Sequence, residues 1–201
     1  MKRLAALWGK IRAYAAHGDP SVEAANWIAL TVAWNQPFYP LYIYGIVGDR
    51  LGPVFLTFLS TPVFAAIPLV ARRAPFLSRI LLPAAGMANT AITAKAFGVA
   101  SGVEMFLLPC ALIAAALFRP AERLAGLSLV AAALLLYLGL HDRYGPPLGA
   151  YDAAELAAMA RINALSAAAL TVFVGLLLSG LMRATERPAA RQESPRSRKR
   201  P

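Results

Sequence analysis

ILLPAAGMANTAITAKAFG, residues Ile80–Gly98, reads as a helix that crosses a membrane, with one charge, Lys95, near its end. A run of about 20 mainly apolar residues matches the thickness of a bilayer core. A charge at that depth is costly and marks a site with a purpose. Small residues dominate the stretch: Ala84, Ala85, Gly86, Ala88, Ala91 and Ala94. Close helix contacts in lipid need small side chains, so this helix belongs at the centre of a bundle. Asn89, Thr90 and Thr93 then face other helices rather than lipid.

Working outward, the same apolar character recurs along most of the 201 residues. The chain is 59% hydrophobic and only 15% charged. Soluble domains carry about 25% charged residues, so the fold class expected is an all-α integral membrane protein. Six spans are expected. The first opens with an Asp19 cap and Pro20 and runs to about Ile46. The others are Pro53–Ala71, Ile80–Gly98, Val103–Phe118, Leu124–Leu140 and Ile162–Met182. A Ser101-x-x-Glu104 capping box is expected to open the fourth, and an Asp152-x-x-Glu155 cap to start the sixth helix early. Three parts follow: an amphipathic interfacial helix over 1–18, a six-helix bundle over 19–182, and a disordered basic tail over 183–201. In the first part Leu4, Leu7, Trp8, Ile11 and Tyr14 share one helical face, suited to lying flat on the membrane.

Charge placement orients the bundle. One side receives Lys2, Arg3, Lys10, Arg12, Arg72, Arg73, Arg79, Arg119, Arg123, Arg183, Arg187, Arg191, Arg196, Arg198, Lys199 and Arg200. These are 16 of the 20 basic residues, and the other side keeps Arg50, Lys95, Arg143 and Arg161. The positive-inside rule therefore places both termini in the cytoplasm of a bacterial-type inner membrane. The net charge of +10 is a topology signal on this reading, and no nucleic-acid partner is expected.

Candidate site residues are the polar groups at membrane depth. Asn35 and Gln36 stand before Pro37 and Pro40, whose missing amide protons free backbone carbonyls. That polar spot must be satisfied by neighbouring helices or water. It is either a broken helix lining a ligand site or a kink whose amides bond across helices. Pro62 and Pro109 predict further kinks. Lys95 either snorkels to the headgroups or pairs with Glu104. Tyr39, Arg161 and Asn163 complete the expected ligand-binding set, in a cavity opening to the extracytoplasmic side. Tyr42, Tyr44, His141, Asp142, Arg143, Tyr144 and Ser166 stand on that same side.

Catalysis and metal chemistry find no support. The single cysteine, Cys110, reads as an apolar packer, and His17 and His141 are expected on opposite sides. There is no metal-ligand spacing, glycine-rich phosphate loop or nucleophile elbow. No cofactor and no enzymatic activity are expected.

The six-span layout, the Asn35–Pro40 segment Asn-Gln-Pro-Phe-Tyr-Pro and the Arg161-Ile162-Asn163 opening of the last span resemble a known kind of region. It is the six-span membrane sensor region that precedes catalytic domains in some bacterial nucleotide cyclases and sensor kinases. The resemblance covers roughly Asp19 to Met182 and implies sensing of membrane-borne or external signals. The chain departs from the pattern after Met182, where a basic tail stands, so no cyclase or kinase activity carries over. The expected function is a non-enzymatic module that binds a small anionic ligand or a lipid. Lys95 would supply the counter-charge and Glu104 would hold the lysine. A membrane or cytoplasmic protein would be the partner. A small solute transporter using the same pocket and an accessory subunit of a membrane complex are the alternatives.

Overall fold

Pro20 starts α2 (Pro20–Asn35) on an Asp19 cap whose Oδ1 accepts from the Ser21 amide at 2.9 Å. Before it lies α1 (Lys2–Ala15). A 3-10 turn at Gln36–Phe38 leads into α3 (Tyr39–Val47). A longer 3-10 segment, Gly52–Ser60, runs into α4 (Thr61–Ala71), and α5 spans Pro75–Phe97. Short 3-10 turns at Val99–Ser101 and Val103–Phe106 precede α6 (Leu107–Ala116). A turn at Pro120–Glu122 precedes α7 (Arg123–Leu140). The last helix is α8 (Ala153–Glu193). The computed structural model describes residues 1–193, and there is no strand among the described residues.

Prolines explain the switches from 3-10 to α geometry. Pro37 and Pro40, Pro62, and Pro109 each fall at or just after such a switch. Each lacks the amide proton that the regular ladder needs, so the backbone tightens beside it.

Three helical runs are long and apolar enough to cross a membrane: Gly52–Ala71, Pro120–Leu140 and Ala153–Gly180. The remaining expected spans fall short of that standard for visible reasons. The α2–α3 run is broken at Gln36–Phe38, α5 carries Arg79, Asn89 and Lys95 among its apolar residues, and Val103–Ala116 is a shorter apolar helix.

α5 packs against α2, α4, α6 and α7, the central place its small residues predicted. Ile28, Phe64, Ile67, Leu82, Ile113, Leu117 and Val174 form one apolar cluster. A second cluster lies at the opposite end, around Ile43, Val47, Val54, Phe97, Val103 and Met159, with Tyr39, Tyr144 and Tyr151 packed on it. Gly102 sits in the left-handed region (φ 73°), and a Cβ there would meet the Ala160 backbone at 3.1 Å. That close approach lets the α5–α6 connection lie directly on α8.

One local expectation is corrected. The Ser101–Glu104 capping box does not form. The Ser101 hydroxyl donates to the Gly98 carbonyl at 2.6 Å, and Glu104 turns to His141 instead. α8 runs on to Glu193, past the expected span end at Met182. The rest of the tail, 194–201, lies outside the described residues. The Asp152–Glu155 cap is reciprocal: the Asp152 amide donates to Glu155 at 3.0 Å and the Glu155 amide to Asp152 at 2.8 Å.

Candidate functional site

A cavity of about 730 Å³ lies at mid-depth between α2–α3 and α8, backed by α4, α5 and α6. That volume falls within the roughly 300–1,000 Å³ of small-molecule sites. Ile28, Phe64, Leu82, Ile113, Leu170 and Phe173 make its walls mainly apolar. Lys, Arg, His, Asp and Glu are absent from its lining among the described residues.

The mouth can be located from exposure. Every exposed lining residue belongs to α2, α3 or α8: Thr31, Trp34, Asn35, Tyr42, Leu165 and Ala169. The lining residues on α4, α5 and α6 are buried or half-buried. Leu165 and Ala169 stand near the middle of the apolar run Ala153–Gly180. The opening therefore lies on the side of the bundle, between α2–α3 and α8. The Lys95 end carries the second apolar cluster. There Phe97 packs on Tyr39 and Tyr151, with ring centroids 6.0 and 5.7 Å apart.

A chain of neutral polar groups runs along one wall. Gln36 Nε2 donates to the Thr57 carbonyl at 3.1 Å and to Ser60 Oγ at 2.5 Å. Ser60 Oγ lies 2.9 Å from Asn89 Oδ1 and 3.0 Å from the Thr57 carbonyl, and its one proton serves one of the two. The carbonyl of Thr57 accepts only, so it fixes the orientation of the Gln36 amide. Gln36 is 7% exposed, and its Oε1 has no partner among the described residues. Nearby, the Tyr39 hydroxyl donates to Asn163 Oδ1 at 3.2 Å, and Asn163 Nδ2 donates to the Ser101 carbonyl at 2.8 Å. Asn163 thereby ties α8 to both α3 and the α5–α6 connection.

The seven sequence candidates divide into two groups. Asn35, Gln36, Tyr39 and Asn163 line the cavity. Lys95, Glu104 and Arg161 do not. Lys95 Nζ donates to the carbonyls of Tyr144 at 3.0 Å and Pro146 at 2.8 Å, which pins the α7–α8 loop. Glu104 meets His141 Nδ1 at 2.5 Å. The expected Lys95–Glu104 pairing is therefore replaced by two separate partners on that loop. Arg161 is exposed, and its Nε donates to the Ala157 carbonyl of its own helix at 3.3 Å. In the same loop, burial and then the Glu104 charge push the Tyr144 phenol up to about 12.

Ser60 and Thr57 were missed as site residues. The three hydroxyls Thr57, Ser60 and Thr61, grouped in an otherwise apolar run, were the available signal. Asn89 was read as facing other helices, and it does so on the cavity wall.

A second charged cluster sits at the other end of the bundle. Arg79, 2% exposed, donates to Glu122 at 2.6 and 2.8 Å and to the Leu117 carbonyl at 3.0 Å. Arg119 donates to Asp19 at 2.6 Å. These bonds tie the α6–α7 turn to the starts of α2 and α5. No protein-family model, no curated protein and no solved structure matches this chain.

Proposed function

We propose that this chain is a non-enzymatic membrane module that binds a small lipid-like molecule in the mid-depth cavity. On this reading it crosses a bacterial-type inner membrane six times with both termini in the cytoplasm. Binding is reported to a protein partner through the cytoplasmic loops. The observation that carries the reading is the cavity itself: an apolar chamber with one polar wall and a mouth between α2–α3 and α8. A ligand dissolved in the bilayer reaches such a mouth without crossing water. The lysine expected to hold an anion is occupied by loop carbonyls, so the ligand class that fits is uncharged.

The test narrows the mouth. Ala169 is an exposed lining residue, whereas Ala168 is exposed and does not line the cavity. The wild type, Ala169→Trp and Ala168→Trp are purified from one membrane source into nanodiscs. Lipids that survive washing are quantified by mass spectrometry. The wild type and Ala168→Trp should retain a selected lipid that Ala169→Trp loses. Equal retention by all three would remove the cavity as a binding site.

A further inference from the structure

We infer that α1 and the end of α4 hold the headgroup of an anionic phospholipid at the Tyr14 ring, between Lys10 and Arg72. The site lies apart from the cavity and needs only that the chain sits in a bilayer.

Residues 1–18 and 50–103 contain no acid. Yet α1, which packs on α2 and α4, and the α4–α5 turn bring Arg3, Lys10, Arg12, Arg72 and Arg73 to one end of the bundle. All five are exposed, and none is in an ion pair among the described residues. The acids of that end are engaged. Asp19 holds Arg119, Glu122 holds Arg79, and Glu23 accepts from the His17 amide. Glu186 and Glu193 of α8 are outnumbered by Arg183, Arg187 and Arg191 of the same helix. The counter-charge for the five cations therefore comes from outside the chain. Two contacts build the site. The Tyr14 hydroxyl donates to the Ala65 carbonyl of α4 at 2.8 Å, and the Arg72 guanidinium lies 5.3 Å over the Tyr14 ring. Lys10 stands one turn before Tyr14 on the same helical face. A phosphate there meets two cations, one of them a guanidinium fork that suits its oxygens. Leu4, Leu7 and Trp8 are exposed on α1 beside these cations, and Trp8 packs on Trp27 of α2 with ring centroids 5.7 Å apart. Exposed apolar side chains next to cations fit a lipid rather than free phosphate. A zwitterionic head neutralises its phosphate with its own ammonium, so an anionic head is the better match.

Quenching of tryptophan fluorescence by brominated lipids tests this, in the full chain carrying Trp34→Phe so that Trp8 and Trp27 report. Nanodiscs of phosphatidylcholine receive increasing fractions of brominated phosphatidylglycerol or, separately, of brominated phosphatidylcholine. The anionic lipid should quench at the lower fraction, and its advantage should shrink as salt is raised. Lys10 and Arg72 are exposed, so their replacement leaves the packing of the bundle alone. Lys10→Gln and Arg72→Gln should each cut the advantage about fivefold, the worth of one cation at an anionic surface. Arg143→Gln, an exposed cation at the opposite end, should leave it unchanged. Inorganic phosphate should reduce it no more than sodium chloride of equal ionic strength. Equal quenching by the two brominated lipids, or an advantage that both variants keep, overturns the site. Displacement by inorganic phosphate beyond the salt effect overturns the lipid assignment in favour of a free anion.

Discussion

Two buried polar residues, Arg79 and Gln36, obey the same rule with opposite results. A charge or amide removed from water must find partners or carry the cost of going without. Arg79 is 2% exposed and finds three acceptors. Its partner Glu122 keeps 23% of its side-chain surface open. The pair is therefore asymmetric. Glu122→Ala strands a buried guanidinium, whereas Arg79→Met leaves a carboxylate that water can reach. Glu122→Ala should cost about 3 kcal/mol of stability, in the range for breaking a buried pair, and Arg79→Met clearly less. The double variant should recover part of the loss. Thermal unfolding in mild detergent decides it, and equal costs for the two single variants would refute the asymmetry. Of such residues the sequence revealed the kind but not the company. Asn35, Gln36, Tyr39 and Asn163 stood out as polar groups at membrane depth, and they line one cavity. Lys95 and Glu104 stood out equally, yet their partners come from the α7–α8 loop. Nothing in local spacing says where a loop residue such as His141 will fold back.

At the scale of helices, close approach is set by what glycine leaves out. A Cβ on Gly126 of α7 would stand 2.8 Å from the Ala114 carbonyl oxygen of α6 and 3.1 Å from Phe118. The oxygen is backbone and cannot step aside, so Gly126→Ala must push α6 and α7 apart. A loss of about 1–3 kcal/mol follows, the usual cost of overpacking. Gly139 lies on the same helix with nothing within 4 Å. Gly139→Ala should be neutral or slightly stabilising, since alanine is the better helix former. A melting temperature unchanged by Gly126→Ala would mean that α6 and α7 are not in this contact. Helix identity was legible from apolar run length, and helix starts from caps such as Asp19-Pro20 and Asp152-x-x-Glu155. The internal 3-10 segments were legible only as proline kinks. The extent of the change at Gly52–Ser60 depends on packing against α5, which local sequence does not encode.

For the whole molecule, the number of crossing helices decides which loops share a face, and counts of six and three separate at Ala100. If six runs cross, Arg73 and Ala100 lie on opposite faces, because α5 passes between them. If only Gly52–Ala71, Pro120–Leu140 and Ala153–Gly180 cross, Arg73, Ala100 and Ala121 share a face. Arg73, Ala100 and Ala121 are exposed, as are Asp49 and Pro146, so each can report as a single cysteine. The native Cys110 is buried and would first be replaced by alanine. With an impermeant maleimide on intact cells, six crossings predict labelling at 49, 100 and 146. Positions 73 and 121 should label only after the membrane is opened. Three crossings predict that 73 and 100 label together under one condition. The positive-inside partition favours six, because Arg72, Arg73 and Arg79 stand at one end of α5 with Lys95 alone at the other. Lys95 itself does not separate the counts. Its ammonium is satisfied by two carbonyls of the α7–α8 loop at the end of the bundle, an arrangement that either count allows.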